Sequence, residues 1–326
     1  MEQKSLSMLR GKFVKLVLYS KDCYKIWNEF INKAKNGIFM HNRNYMDYHS
    51  DRFKDNSLLF YDNEKLIAVL PLNRNENTLY SHQGLTYGGF IVDENMKQSK
   101  MLECFKELKN YMKNENVKAL VYKTIPHIYH KAPAEEDLYA LFTNQAKLVK
   151  TEPSTTILLK EPYKMPKGRK AQISRAKREG VSIEESKDFK SFIDLENKVL
   201  KEKHNTTAVH TAEELELLQS RFPENIKLYT ATYKNEMIAA CLIFEYEKVV
   251  HTQYLAANST ARNIGGLDLL LKTLIDKYKE TKTYFDFGIS TEENGLYLNE
   301  GLISQKESFG GRTTVYYTYC LENNDE

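Results

Sequence analysis

The chain has a single tryptophan, four cysteines, no large charge excess, and no apolar run of the roughly 18–20 residues a membrane span needs. A bilayer-spanning protein is therefore not expected. The opening Met1–Arg10 is polar and lacks the apolar centre of a secretion signal, so the expected compartment is the cytosol. Cys23, Cys104, Cys241 and Cys320 stand far apart without a C-x-x-C pair. That spacing fits reduced thiols and excludes a compact cysteine-type zinc site, and no metal is expected. Lys and Arg total 47 against 44 for Asp and Glu, a net charge of +3, which argues against bulk nucleic-acid binding as the main activity.

What is present is a chain able to fold. With 41% hydrophobic and 28% charged residues it can bury real cores, and its 326 residues suggest two folded units at roughly 100–200 residues each. Tyrosine is abundant, at 22 residues beside 15 phenylalanines. Tyrosines supply stacking faces and hydroxyls of the kind a sugar or nucleotide pocket uses, and they equally cap sheet edges and cores.

One order of elements occurs twice. In the first half, Ser57–Tyr61 reads as a strand, Asp62-Asn63-Glu64 as a turn, and Leu66–Leu72 and Thr78–Leu85 as two more strands. A helix near Gln98–Met112 follows, with Met101, Phe105, Leu108 and Met112 on one face, and Val117–Thr124 closes the unit as a strand. In the second half the strands are Ile226–Tyr233, Met237–Tyr246 and Val249–Ala257, with Lys234-Asn235-Glu236 as the turn. A helix over about Gly265–Lys279 carries Leu267, Leu270, Leu271, Leu274, Ile275 and Tyr278 at helical spacing, and Tyr284–Ile289 is the closing strand. The expected fold is α/β (α+β), with two similar units, each a mixed sheet with flanking helices. The expected boundaries are 1–152 for the first unit, 153–180 for a linker and basic helix, and 181–326 for the second unit. The linker carries Pro153, Pro162 and Pro166, and the basic helix Lys167–Gly180 carries Lys170, Arg175, Lys177 and Arg178. Helices are also expected at Phe189–Glu202 and at Thr211–Arg221, the latter opened by a Thr211-x-x-Glu214 capping box.

Several residues stand out chemically. Arg262-Asn-Ile-Gly-Gly266 lies between a strand and a strong helix. Unpaired backbone N–H groups at a helix start, approached through glycine, can cradle a pyrophosphate; the same glycines can equally make only a tight turn. His251 alternates with Val249, Gln253 and Leu255 along one face of its strand. An imidazole, with an ordinary pKa near ~6.5, suits a base at neutral pH, and a hydrogen-bonded core histidine would show the same pattern. Asp286 sits in an otherwise apolar strand, where a carboxylate needs either a structural partner or a role as a base. His82, in the matching third strand of the first half, is a third candidate. Lys123, Tyr129 and His130 follow the closing strand of the first half, where α/β ligand clefts commonly open, and Glu136 and Asp137 could take sugar hydroxyls or an amine. Lys306 and Arg312 could pair with a diphosphate or carboxylate, or with surface acids. No Gly-x-Ser-x-Gly motif and no activated cysteine points to a covalent intermediate.

The Arg262-x-x-Gly265-Gly266 loop resembles the pantetheine and pyrophosphate loop of GNAT acyltransferases, with one glycine out of place. Longer phrases carry a wider resemblance: Ser81–Gly89, Tyr122–His130, Glu135–Tyr139, Arg221–Ile226, His251–Tyr254 and Phe285–Glu292. Together, from about His41 to Tyr319, they look like a tandem-GNAT group related to the Fem-type aminoacyl transferases. Within it, the chain is similar to nucleotide-sugar N-acyltransferases that acylate a dTDP-linked 3-amino-3,6-dideoxyhexose from an acyl-CoA such as 3-hydroxybutanoyl-CoA, in lipopolysaccharide O-antigen synthesis. The resemblance implies coenzyme A held by the second unit around Ala256, Arg262, Ile264, Gly265 and Gly266. It implies a nucleotide sugar in a cleft between the units, lined by His82, Tyr87, Lys123, His130, Lys306 and Arg312. Backbone N–H groups where Val249–Ala257 splays would hold the oxyanion, and His251 or Asp286 would take the proton. Two alternatives remain open: a Fem-like enzyme using aminoacyl-tRNA, for which the basic helix would contact RNA, and a non-catalytic paired GNAT module.

Overall fold

The structure, a computed structural model, describes residues 14–204 and 206–323, so Met1–Arg10 lies outside the described residues. The chain divides into two compact units, Met1–Val149 with Tyr317–Glu326, and Lys150–Tyr316. The basic helix thus falls within the second unit, and the end of the C-terminal strand belongs to the first.

In unit 1, β1 (Val14–Leu18) leads to α1 (Tyr24–Lys33), whose Trp27, Phe30 and Ile31 are buried, and to the short α2 (Arg43–Met46). Strands β2 (Leu58–Asp62) and β3 (Lys65–Leu70) form a hairpin, followed by β4 (Asn73–Asn75), β5 (Thr78–Tyr80) and β6 (Ile91–Val92). The expected strand over Thr78–Leu85 stops at Tyr80. His82 takes a left-handed φ of 66° and turns the chain, and the strand order resumes only at β6, which pairs with β3. Helix α3 (Gln98–Asn114) buries Met101, Cys104, Phe105, Leu108 and Met112, an i, i+3, i+4, i+7, i+11 stripe, against Phe60, Phe90 and Tyr122. Strand β7 (Ala119–Lys123) and α4 (Glu136–Thr143) complete the unit, with β7 antiparallel to the C-terminal strand from Thr318 to Glu322.

In unit 2, the six strands of the mixed sheet run in the order β8 (Lys147–Leu158), β13 (Tyr284–Ile289), β12 (Val249–Ala257), β11 (Glu236–Glu245), β10 (Ile226–Tyr233) and β9 (Ser182–Ser186). All neighbours are antiparallel except β12 and β13. The helices are α5 (Lys167–Arg178), α6 (Phe189–His204), α7 (Ala212–Arg221), α8 (Ser259–Ile264), α9 (Gly266–Tyr278) and α10 (Glu300–Glu307). A two-strand flap, β14 (Thr291–Glu292) and β15 (Tyr297–Leu298), precedes α10, and β16 (Arg312–Glu322) is the C-terminal strand. The mixed α/β class matches the expectation. The β10–β11 hairpin turns on Lys234 and Asn235, both at positive φ, the geometry of a two-residue type I′ turn. In the β2–β3 hairpin, only Asn63 of the two loop residues is left-handed, so the shared Asn-Glu wording sits at different turn positions in the two units. The loop expected to carry Arg262 is instead helix α8, where the Asn258 side chain caps the start by accepting from the Ala261 N–H at 2.9 Å.

Candidate active site

The site in unit 2 begins with a register slip. Along β11 and β12, Leu242 pairs with Tyr254 but Ile243 pairs with Thr252, which leaves Gln253 as the extra residue of a bulge. A bulge raises local twist and swings its strand away from a neighbour. Here β12 runs parallel to β13 for only three pairs, Val249 with Tyr284, Val250 with Phe285 and His251 with Asp286, and then the strands part. The result is a wedge, closed at the His251–Asp286 end. The sequence marks the strand on which such a bulge could sit; the register that makes it is set by the partner strand.

At the closed end, His251 Nδ1 lies 3.1 Å from Asp286 Oδ2. Asp286 is 0% exposed, and His251 is 5% exposed. Asp286 Oδ1 accepts from Ser154 Oγ at 2.5 Å and Thr156 Oγ1 at 3.0 Å, and Oδ2 accepts from the Tyr316 hydroxyl. Hydroxyl donors from β8 and β16 thus hold a buried carboxylate in place, and that carboxylate holds the imidazole. Gly288 completes the corner. Its φ is 74°, and a Cβ there would come within 3.2 Å of the His251 ring. Lys306 of α10 donates to the carbonyls of Gly288 (3.0 Å) and Ile289 (2.6 Å), and burial lowers its pKa to about 8 despite Asp286.

The open part of the wedge is a cavity of ≈ 410 Å³. Leu255 and Ala257 of β12, Leu267 and Leu271 of α9, Phe287 of β13 and Phe309 give it apolar walls, and Arg169, Arg262 and Lys306 bring cations to it. These walls suit the pantetheine arm of an acyl-CoA. The Gly265–Gly266 loop is packed tightly on the side that a side chain would take. A Cβ at Gly265 would lie 2.3 Å from the backbone oxygen of Gln172 on α5, and one at Gly266 would lie 2.8 Å from Ile238 Cδ1. The closeness that these glycines permit is taken up by the chain itself. Asp268, in the first turn of α9, already places a carboxylate at that helix start and pairs with Arg169, whose guanidinium stacks 4.6 Å over Phe309.

Of the five residues expected around the cofactor, Arg262 lines the cavity, though its Nη1 also donates to Ala257 O at 2.5 Å. Ala256 and Ile264 are packed in the core, and the two glycines serve helix packing and the left-handed junction of α8 and α9. Arg169, Gln172 and Phe309 were not singled out from the sequence; the basic helix was noted, but nothing local shows that it folds onto α9.

Unit 1 gathers a different group of the candidates. His82 is in a loop rather than a strand, stacked on His49 with ring centres 5.2 Å apart, and burial holds its pKa well below the usual histidine range. Lys123 Nζ donates to the carbonyls of His82 (2.8 Å) and Leu85, so its charge anchors the loop that follows β5. Tyr87 is buried against Tyr129 with ring centres 4.6 Å apart, and His130 Nε2 lies 3.0 Å from Ile125 O. Glu136 forms an ion pair with Lys35, while the neighbouring Asp137 accepts from Tyr122 Oη at 2.7 Å and is pushed up to about 6 by burial. Arg312, at the start of β16, is exposed and donates to Gly311 O at 2.7 Å. Among the described residues no cluster of three or more metal-ligating side chains occurs, and no helix is long and apolar enough to cross a membrane.

Residues 167–294 match the acetyltransferase (GNAT) domain family. No curated protein matches the sequence. Among solved structures, FemX is similar with a TM-score of 0.67 at 10% identity, over 94% of this chain and 97% of that one. The C-terminal domain of a putative lysylphosphatidylglycerol synthetase from Agrobacterium fabrum gives 0.59 at 11% identity, over 91% and 92%. A tandem GNAT protein from the clavulanic acid biosynthesis pathway gives 0.54 at 9% identity, over 96% and 99%. At these identities the likeness is one of fold, and it spans both units. The chain has a tandem GNAT-like fold, and the residues that match the acetyltransferase (GNAT) domain family lie within its second unit.

Proposed function

We propose that unit 2 transfers an acyl group from acyl-CoA to the amine of a nucleotide-linked amino sugar, a dTDP-3-amino-3,6-dideoxyhexose being the favoured acceptor. The observation that carries acyl transfer is the His251–Asp286 pair at the closed end of the β12–β13 wedge. The acceptor rests on the sequence resemblance. A bound acyl-CoA supplies the activated carbonyl. His251 takes the proton from the attacking amine, while Asp286 fixes its Nδ1 and offsets the charge it gains. Asp286 itself, enclosed by hydroxyl donors and fully buried, is a positioning group and not the base. Backbone N–H groups of β12 beyond His251, on the side that β13 leaves, face developing negative charge. Lys306 keeps the wedge open by holding the carbonyls of Gly288 and Ile289.

A second reading, transfer from an aminoacyl-tRNA, is favoured by α5. Lys167, Lys170, Arg175, Lys177 and Arg178 are all exposed on it, a basic face of the helix. One experiment separates the two. The protein is incubated with 3-hydroxybutanoyl-CoA and the dTDP-amino sugar, or with charged tRNA and the same acceptor, and products are read by mass spectrometry. The expected result is a mass gain on the sugar with release of free CoA thiol. Product only from charged tRNA, falling steeply with salt, would replace the first reading by the second.

A further inference from the structure

Unit 1 holds a cavity of ≈ 440 Å³ that takes no part in the proposed acyl transfer. Lys109 and Lys113 of α3, Lys147 at the start of β8 and Glu322 of β16 line it, together with the turn that follows α4. Three lysines thus share the lining with one acid. Lys147 pairs with Glu322 at 2.8 Å, whereas Lys109 and Lys113 have no ion-pair partner among the described residues. A cation in the last turn suits the carbonyl end of α3, which accounts for Lys113 but not for Lys109.

Apolar side chains stand in water on both sides of that turn in the chain. Helix α4 buries Asp137, Ala140 and Leu141 and directs Tyr139 and Phe142, neighbours at i and i+3, outward, with Phe142 76% exposed. Leu148 and Val149, which follow Lys147, are each more than half exposed. A solitary exposed apolar residue is ordinary; four in one short stretch, bracketing a lysine-lined cavity, mark a contact surface. Aromatic and aliphatic groups beside cations complement an anionic bilayer surface, where acyl chains lie under negatively charged phosphates. RNA would meet the lysines and stack on Phe142, but it would leave Leu148 and Val149 in water. We propose that this face of unit 1 docks on an anionic lipid bilayer, with Tyr139 and Phe142 entering the interface and Lys109, Lys113 and Lys147 meeting the lipid phosphates. The protein would then lie on a membrane without crossing it. Docking of this kind requires neither the acyl donor nor the acceptor named above.

The test is flotation of the full chain with vesicles of phosphatidylcholine, alone or mixed with phosphatidylglycerol, for wild type, Lys109→Glu/Lys113→Glu and Tyr139→Ser/Phe142→Ser. All four side chains are exposed, so both double variants are expected to fold, which circular dichroism checks. The expected result is wild type bound to the mixed vesicles and not to phosphatidylcholine alone, with an affinity at least about tenfold weaker in each variant. Wild type that ignores the mixed vesicles overturns the proposal. Vesicle binding that either variant leaves unchanged also overturns it, and moves the contact to another basic surface such as α5. Two companion measurements, filter binding of tRNA and sedimentation of the protein alone, cover the other occupants. Retention of tRNA in place of vesicles, lost in the lysine variant, makes the face an RNA surface. A dimer that ignores vesicles and that Tyr139→Ser/Phe142→Ser dissolves makes it a contact between copies; either result overturns bilayer docking.

Discussion

His251, Asp286, Lys306 and Gly265 each make a separable prediction. His251→Ala should lower kcat by roughly 10²–10⁴-fold, the range for removing a general base, in a steady-state assay. Asp286→Asn should fall between wild type and that variant with KM for both substrates kept, because it loosens the imidazole without touching substrate. Lys306 carries a pH signature. Its pKa falls from 10.5 toward about 8 through burial, so between about pH 8 and 10.5 the unfolded chain holds a proton that the folded chain has released. Stability from this group is lowest below pH 8 and rises as pH climbs through that window. Lys306→Met should remove the rise, read as urea midpoints from pH 7.5 to 10.5. Gly265→Ala meets a backbone oxygen at 2.3 Å with φ at 81°, and should destabilise by on the order of 2–3 kcal/mol. Gly266→Ala meets most closely the movable end of the Ile238 side chain, and should cost less. Chemical denaturation of the two variants orders them.

At the scale of elements, the long periodic segments were legible. Ile226–Tyr233, Val249–Ala257 and Tyr284–Ile289 are strands with the expected bounds, because each is an apolar run closed by turn residues. The capping box at Thr211 forms as read, its hydroxyl accepting from the Glu214 N–H at 3.2 Å and the Glu214 carboxylate from the Thr211 N–H at 3.0 Å. Thr211→Ala should therefore cost about 1 kcal/mol in thermal or urea unfolding. What was not legible depends on distant partners. His82 turns the chain at Ser81–Gly84 because Lys123, forty-one residues on, holds its carbonyl. The glycine pair reads locally as a phosphate loop, and only the docking of α5 shows what faces it. His251 and Asp286 were both visible as odd polar residues in apolar strands, but their pairing needed the parallel register of β12 with β13.

For the whole molecule, two similar element orders have produced unlike units. In unit 2, β12 runs unbroken for nine residues and parts from β13 around a polar corner. In unit 1 the matching strand is broken into β5 and β6, and its candidate side chains hold the intervening loop. A duplicated fold can thus keep one transfer site and turn the other unit to a different use. The proposed acyl transfer in the wedge of unit 2 depends on His251. That dependence is measured by a single-turnover assay of acyl transfer by wild type and His251→Ala, each shown to be folded by circular dichroism. Wild type is expected to form acylated product in a single exponential phase, and the variant at a rate at least about a hundredfold lower. A folded His251→Ala protein that transfers acyl groups at the wild-type rate would contradict it.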